Sequence, residues 1–195
     1  RQVASFGKKA AAEEEAAELE KIATPDTTTI EALVELLDVP QSRTAKAVFM
    51  VAKIAEGEEE TEKFVLAVIR GDMEVNETKL TNAVKAKEMR PAHDEEIKTI
   101  GSVPGYGSPI GVKGALVVVD DSIANSPNLV AGANEEGFHL KNVNCGRDYE
   151  ADIVCDIAAA QEGDACPDCG APLDAKRGVE VGNIFQLGTK YTEAL

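Results

Sequence analysis

Positive charge is scarce in this sequence. Its 195 residues include 20 lysines and arginines against 35 aspartates and glutamates, so the formal net charge is -15 at pH 7. A surface this acidic repels polyanions. This excludes a broad basic face for nucleic acid and leaves only local contacts with one. With 44% hydrophobic and 28% charged residues, the composition is that of a globular protein.

Long apolar runs and export signals are also missing. No run of about 18 apolar residues occurs, so the sequence predicts no membrane-spanning helix. The N-terminal stretch lacks the apolar centre of a signal peptide. We therefore expect a cytoplasmic protein with reduced thiols. The chain starts with arginine rather than methionine, which favours a piece of a longer protein.

Several familiar catalytic signatures are absent as well. The sequence contains no G-x-S-x-G nucleophile elbow, no H-E-x-x-H zinc motif and no Walker phosphate loop. No repeat with a period of about 20 to 50 residues is present either. Any chemistry must therefore come from a less common arrangement of residues.

The four cysteines leave a metal site open as an alternative. Cys166 and Cys169 form a C-x-x-C pair in "CPDCG", and Cys145 and Cys155 could complete a four-thiolate zinc site. The spacing of the second pair is longer than in zinc knuckles. Zinc is therefore the weaker interpretation of this pattern.

The N-terminal part predicts a helix followed by a β-hairpin. Residues 7–21 are rich in Ala, Glu and Lys without a strong apolar stripe, which indicates a linker or a frayed helix. Thr28 and Glu31 fit a capping box, and Pro40 ends the helix that follows. Two apolar segments, "AKAVFMVAKI" and "KFVLAVIRGD", flank the charged loop "EGEEETE". Their short separation favours an antiparallel pair.

The remaining pattern alternates irregularly between helices and strands. Asn76 begins a second predicted helix, a third helix follows, and a loop rich in Gly, Pro and Ser precedes a buried strand. We expect an α/β or α+β fold with a mixed, mostly antiparallel sheet flanked by helices. The segments concerned are helices "NETKLTNAVKA" and "HDEEIKTIG", then strands in "ALVVVDDSI", "NLVAGANEEGFHLKNVN", "ADIVCDIA" and "APLDAKRGVEVGNIFQLG".

Two features favour binding of an anionic ligand. Lys46 lies at the start of a mostly apolar strand, where it is either a solvated strand end or an anchor for phosphate or carboxylate. The loop Gly105–Pro109, "GYGSP", allows a backbone to approach a ligand closely and can form an anion-binding nest. A plain turn is the alternative for this loop.

Two further residues carry ambiguous signals. Asp120 follows a buried strand, where its carboxylate either binds a substrate or caps the next turn. His139 is one of two histidines and alternates with Phe138 and Leu140, so it points to the opposite face from both. It is either a structural hydrogen-bonding residue or part of a site. His93 is expected at the surface.

Five segments occur in an order found in one family. Together they resemble the editing insertion of bacterial-type prolyl-tRNA synthetase, with short flanks of the class II aminoacylation domain. The resemblance implies a deacylase fold and three parts: a flank (1–21), the editing domain (22–175) and a return segment (176–195). The segments are "RGDMEVNETKL", "GYGSP", "VAGANEEGFHLKNVNCGRD", "GDACPDCGAPL" and "RGVEVGNIFQLGTKYTEAL".

The resemblance also assigns roles to individual residues. Lys46 matches a lysine that holds the phosphate of the terminal adenosine of tRNA, with Arg43 in place of the family's first lysine. The backbone of the loop that contains Gly105, Gly107 and Pro109 faces the aminoacyl ester.

Four more residues match the editing pocket of the family. Asp120 and His139 match pocket residues, and Gly132 and Asn134 belong to the turn beside the pocket. Lys46 and His139 are the residues expected to act in catalysis, and the other matched residues are expected to bind substrate. No metal site is implied.

The implied activity is hydrolysis of alanine wrongly esterified to the tRNA for proline. A proline pocket excludes the smaller alanine weakly, since a lost methylene is worth only about 1–3 kcal/mol. The mechanism implied is attack by a positioned water, with backbone donors toward the oxyanion. Editing needs no cofactor, and ATP and Mg²⁺ belong to the synthetase core. The implied partners are the acceptor end of the tRNA and the rest of the chain, in a homodimer without membrane contact.

Two other interpretations remain open. One is a free-standing deacylase related to this family, although "GNIFQLGTKYTEAL" favours a return into a synthetase core. The other is a non-catalytic zinc or protein-interaction module built on the cysteines.

Overall fold

The computed structural model describes residues 3–9, 14–56, 59–179 and 181–182. None of the helices within these ranges is both long and apolar enough to cross a membrane. The elements in chain order are β1 (Glu20–Ala23), α1 (Ile30–Leu37), a 3-10 helix (Gln41–Arg43), β2 (Ala45–Glu56), β3 (Glu59–Arg70), α2 (Glu77–Ala83), β4 (Ala86–Pro91), α3 (Asp94–Thr99), β5 (Ala115–Asp120), α4 (Asp121–Ala124), β6 (Leu129–Gly132), β7 (Phe138–Val143) and β8 (Ile153–Cys155).

Two sheets form the framework. The larger sheet has the strand order β4-β2-β3-β5-β8, and the smaller has the order β1-β7-β6. Strand β3 runs antiparallel to β2 and parallel to β5, which is in turn parallel to β8. The other strand pairs are antiparallel. This confirms the predicted α+β class with a mixed, mostly antiparallel sheet.

The central strands of the larger sheet are buried on both faces. Side chains of a strand alternate between the two faces of its sheet. Leu66 and Val119 therefore pack toward the smaller sheet, against residues such as Leu129. Val65 and Val118 point the other way and pack with Leu80 of α2, Ile157 and their neighbours. This double burial explains why residues 64–69 of β3 and most of β5 are continuous apolar runs.

The hairpin of β2 and β3 is longer than expected. The two strands pair without interruption from Ala45 opposite Arg70 to Glu56 opposite Glu59. The predicted charged loop therefore belongs mostly to the strands, and that part of the prediction is wrong. Beyond the core both faces of the hairpin meet water, so charged residues fit there, as with Lys53 opposite Glu62.

The three predicted helices are present with shifts at their ends, and the second one stops at Ala83, since Ala86 already belongs to β4. Thr29, and not Thr28, caps α1, because its hydroxyl accepts a hydrogen bond from the backbone N–H of Ala32 at 3.2 Å. Asn76 caps α2 as predicted, with its side chain accepting from Lys79. Helix α3 occupies the third predicted segment.

Two strands were not predicted. Strand β1 lies partly in the segment interpreted as a linker or frayed helix, and it pairs with β7. Strand β4 follows α2 directly and pairs with β2. Both are edge strands of mixed polarity, so their extended shape comes from pairing with a neighbour rather than from their own sequence pattern. The helical alternative for 7–21 is wrong for the described part of that range.

The C-terminal prediction of a strand, a turn and a strand is only partly testable. Residues 171–179 contain no strand, apart from an isolated bridge between Ala165 and Pro172, so the first strand is wrong. The second predicted strand lies outside the described residues.

Candidate active site

A cavity of about 470 Å³ opens where the two sheets meet. The sheets are joined there by a bridge between Thr44 and Val130. The cavity is bounded by the start of α1, the start of β2, the glycine-rich loop and strands β6 and β7. Its size is within the usual range for small-molecule sites. Five of the residues predicted from the sequence line it, namely Lys46, Gly105, Gly107, Gly132 and His139.

Among the described residues that line this cavity, Lys46 is the only lysine. Its neighbours Ala45 and Ala47 also line the cavity, although strand alternation places their side chains on the opposite face of the sheet from Lys46. The Nζ atom donates to the Glu74 carboxylate at 2.6 Å. The Lys46 side chain is 20% exposed and that of Glu74 is 69% exposed. Lys46 is therefore neither a freely solvated strand end nor deeply buried.

The glycine-rich loop is shaped by its need to approach other backbone closely. A Cβ atom on Gly132 would lie 2.1 Å from the carbonyl oxygen of Tyr106, and one on Gly107 would lie 2.6 Å from the ring of Phe49. Gly105 has a φ of +82°, a conformation that favours glycine. Gly132 thus allows the loop to rest against β6, and Gly105 supplies the left-handed conformation of its backbone.

Asn134 holds this loop in place. Its side-chain amide donates to the carbonyls of Ser108 at 3.1 Å and Ile110 at 2.7 Å. Its carbonyl oxygen accepts from the backbone of Ser108 at 2.9 Å and from the hydroxyl of Ser102 at 2.6 Å. Asn134 does not line the cavity, and the same is true of the buried Pro109. Both support the loop rather than facing a ligand.

Backbone donors of the loop are left free for a ligand. Within the described ranges, the N–H groups of Gly105 and Gly107 have no hydrogen-bond partner, although both residues line the cavity. The intervening N–H of Tyr106 is used internally, because it donates to Val103 at 3.0 Å. Free amides at a cavity wall can stabilise developing negative charge.

His139 is buried beside the cavity and held by Thr24. The Thr24 hydroxyl lies 2.6 Å from His139 Nδ1, and the ring of Tyr106 packs at 5.4 Å from the imidazole. Burial lowers the pKa of His139 below its ordinary value, so the ring is neutral at pH 7. Within the described residues the Thr24 hydroxyl has no other acceptor, so it donates to Nδ1. The proton of His139 is then on Nε2, which acts as a donor.

Thr24 was missed by sequence reasoning. It directly follows β1, and the pairing of β1 with β7 places Ile22 opposite His139. A fully buried threonine after a short edge strand has no sequence signature of its own. The only signal was the proline that follows it in "ATP", which is typical of many turns.

Replacing Thr24 by valine tests its role in positioning His139. The change keeps the volume and leaves Nδ1 without its donor, so we expect a loss of about 1–3 kcal/mol in the free energy of unfolding. If a substrate contact depends on His139, the kcat/KM of the reaction will fall as well. The serine variant keeps the hydroxyl and is the matched control. Equal activity of the valine and serine variants would contradict the positioning role.

Asp120 is placed away from the cavity, which corrects the prediction. Its side chain is fully buried and caps α4, where it accepts from the backbone of Ser122 at 3.0 Å. It also accepts from the backbone of Ile157 at 3.0 Å and from Lys8 Nζ at 2.8 Å. Asp120 is not among the residues that line the cavity, because its carboxylate is directed to these partners within the fold. The capping alternative is confirmed.

Comparison with known families matches most of this sequence to one of them. The model of the aminoacyl-tRNA editing domain matches residues 24–149, a range that contains Thr24, Lys46, the glycine-rich loop and His139. The chain belongs to the aminoacyl-tRNA editing domain family. The resemblance noted in the sequence is thereby confirmed at the level of the family.

Curated relatives of this editing domain are proline–tRNA ligases. The chain is 57% identical to the enzyme of Salinispora tropica over 196 aligned positions, which cover 100% of the chain and 33% of the relative. It is 50% identical to a proline–tRNA ligase of Dehalococcoides mccartyi, over 97% of the chain and 32% of that relative. The chain thus spans about one third of the length of these relatives.

Solved structures share the fold of this editing domain at low sequence identity. A putative trans-editing enzyme for prolyl-tRNA synthetase superposes with a TM-score of 0.53 at 18% identity, over 64% of this chain and 76% of that one. A hypothetical protein superposes with a TM-score of 0.57 at 17% identity, over 72% of this chain and 91% of that one. These likenesses support the assigned fold.

The four cysteines of the editing domain do not meet at one site. Cys166 and Cys169 share a turn, where backbone N–H groups of Cys169 and Asp168 lower the pKa of the Cys166 thiol. Burial raises the pKa values of Cys145 and Cys155, which lie apart from this turn. Among the described residues, only Asp120, Asp121 and Asp156 form a group with metal-ligand spacing. The four-thiolate arrangement is therefore wrong.

Proposed function

We propose that this domain hydrolyses the ester that joins alanine to the 3′ end of the tRNA for proline. The observation that carries the proposal is one cavity that unites Lys46, free amides of the glycine-rich loop and neutral His139. An aminoacyl ester at the end of a tRNA presents a phosphate, a ribose and a carbonyl. Each of these has a complementary group in the cavity.

Lys46 is the anchor for the phosphate in this mechanism. An ammonium binds phosphate as a strong point-charge donor. The lysine lies on the rim of an otherwise acidic domain, so it attracts the tRNA at one local point. The -15 charge is compatible with a domain that meets only the acceptor end, while the tRNA body is held elsewhere.

The loop supplies stabilisation of the transition state. Water adds to the ester carbonyl carbon, and the developing oxyanion accepts hydrogen bonds from the N–H groups of Gly105 and Gly107. The bond between the carbonyl carbon and the ribose oxygen then breaks, and the proton from water ends on that ribose oxygen. His139 orients the substrate through its Nε2–H. Positioning of the water, helped by the neighbouring ribose hydroxyl, replaces a dedicated general base.

Size is the basis of selection between alanine and proline. Phe49 and the backbone of Gly132 narrow the cavity beside the loop. The close packing of Gly107 on Phe49 leaves little freedom to widen it. A small side chain fits beside this wall, and the pyrrolidine ring of proline is rejected by overlap.

The test is hydrolysis of alanyl-tRNA and prolyl-tRNA, both formed on the tRNA for proline. We expect the domain to release alanine and to spare proline, with a ratio of at least about 100 in kcat/KM. Equal hydrolysis of the two esters would contradict selection by size. No hydrolysis of either ester would contradict the deacylase activity itself.

The wider context is part of the same proposal. We place the domain within a proline–tRNA ligase, whose core uses ATP and Mg²⁺ to attach proline and forms the homodimer. Residues 1–21 and 176–195 then connect the editing domain to that core. The long match to proline–tRNA ligases supports this placement.

A further inference from the structure

The ammonium of Lys46 already has an acidic partner within the protein. It donates to Glu74 Oε1 at 2.6 Å, and both residues line the cavity. Glu74 lies between the end of β3 and α2. Within the described part of the chain, Lys46 Nζ has no other hydrogen-bond or ion-pair partner. The ammonium has further N–H donors, but a phosphate bound beside Glu74 meets a like charge, so its binding is favoured when the carboxylate moves away from the lysine.

Glu74 is more exposed than Lys46, which favours replacement of its carboxylate by a phosphate at the lysine. The Glu74 side chain is 69% exposed and can turn into water without losing solvation, whereas Lys46 is 20% exposed and confined by the cavity wall. Exposed ion pairs of this kind contribute little to stability. The pair is thus poorly suited to hold the fold together and well suited to be broken by an anion.

We infer that Glu74 is a specificity-determining residue that competes with the substrate phosphate for Lys46. This inference rests on the proposed role of Lys46 as a phosphate anchor. The carboxylate lowers the affinity of the site for any single phosphate, so weak anions do not occupy it. It also returns to Lys46 after hydrolysis, when the deacylated product still carries its phosphate, and so speeds product release.

The probe for this competition is 5′-AMP, which carries the adenosine and one phosphate of the product end. Its Kd is measured by calorimetry for the wild type, Glu74→Gln, Lys46→Met and the double variant. Glu31→Gln is the matched control, because Glu31 lines the same cavity and makes no bond to Lys46. Adenosine without phosphate is the control ligand.

We expect Glu74→Gln to bind AMP about tenfold more tightly, since a like charge beside the phosphate is removed. Glu31→Gln will change the Kd of AMP by less than about twofold, because its charge lies farther from the lysine. The double variant will bind no better than Lys46→Met, and adenosine will bind equally to the wild type and Glu74→Gln. In multiple-turnover hydrolysis of alanyl-tRNA, Glu74→Gln will lower both KM and kcat, as slower product release requires.

Three results would overturn the inference. They are unchanged or weaker AMP binding by Glu74→Gln, equal tightening by Glu31→Gln, or tightening that persists in the double variant. Failure of the proposed function looks different, since AMP binding would still respond to Glu74 and Lys46 while alanyl-tRNA stayed intact. Unchanged AMP binding by Lys46→Met would overturn both the anchor and the competition.

Discussion

Replacing Lys46 by alanine is expected to lower the kcat/KM for alanyl-tRNA hydrolysis by about 100-fold, because a charged hydrogen-bond partner of phosphate contributes up to about 3 kcal/mol. The measurement is release of alanine from the tRNA for proline at matched enzyme concentration. Stability should change little, since the partly exposed pair with Glu74 holds no core residue in place.

Lys53→Ala is the matched control for this variant. Lys53 lies on the same strand as Lys46 and forms a comparable ion pair with Glu88 at 2.9 Å, but it is exposed and lies outside the cavity. Its loss should leave hydrolysis unchanged. Equal rates for the Lys46 variant, the Lys53 variant and the wild type would show that the phosphate is held elsewhere.

Replacing Lys8 by methionine is expected to destabilise the fold by about 3–5 kcal/mol, the usual cost of removing one partner from a buried charge cluster. Lys8 Nζ lies 2.8 Å from Asp120, 2.7 Å from Asp121 and 2.6 Å from Asp156. The Lys8 side chain is 7% exposed and that of Asp120 is fully buried. Without the Lys8 ammonium, the buried Asp120 carboxylate loses this positively charged partner. Urea unfolding measures the loss.

Two further variants separate the charge effect from a general packing effect. Lys9→Met alters the adjacent, exposed lysine and should leave the free energy of unfolding nearly unchanged. Adding Asp120→Asn to Lys8→Met removes the buried carboxylate that has lost its lysine partner, and it should restore part of the lost stability. A double variant less stable than Lys8→Met alone would contradict this account.

The cluster of Lys8 with Asp120, Asp121 and Asp156 also makes the free energy of unfolding depend on pH. Burial alone would raise the pKa of Asp156, but hydrogen bonds from Lys79 and Lys8 lower it to about 2. The pKa of Asp120 is lowered by Lys8 in the same way, against its burial. Carboxylates with depressed pKa values stabilise the fold above their unfolded pKa near 4, and this contribution is lost as the pH falls toward 2. The difference between the wild type and Lys8→Met should therefore shrink over that interval.

The cluster also shows how the N-terminal flank meets the domain. The backbone N–H of Gly7 donates to the carbonyl of Ala165 at 2.8 Å, so the described flank lies beside the turn that carries Cys166. Arg70 donates to the carbonyl of Lys9. The sequence suggested only a linker here, because the carboxylates that fix Lys8 lie more than 100 residues away along the chain.

Several elements were predictable because their signals are local. Two apolar segments on either side of a charged stretch predicted β2 and β3, and Asn76 marked the start of α2. The loop was recognisable from its glycine-rich composition, and the structure shows a positive φ at Gly105 and a close contact at Gly107. Lys46 stood out as a charge in an apolar strand, and the resemblance to a family gave it a role.

Asp120 shows where such signals fail. Its position after a buried strand suits a substrate ligand and a helix cap equally well, and the family resemblance favoured the pocket. The contacts decided between them, since the Asp120 carboxylate binds Ser122, Ile157 and Lys8 within the fold and does not line the cavity. A local pattern places a carboxylate at the end of a strand, but it does not show which partners the rest of the fold brings to it.

The sequence by itself determined the acidic surface, the α+β class and the residue types of the cavity, because composition, hydrophobic period and glycine constraints act over short stretches of chain. Only the tertiary structure decided which of these residues work together. Thr24 and His139 lie 115 positions apart, Lys8 and Asp120 lie 112 apart, and Lys46 and Glu74 lie 28 apart. Such contacts arise from strand register and from the packing of one sheet on another, which no local pattern encodes.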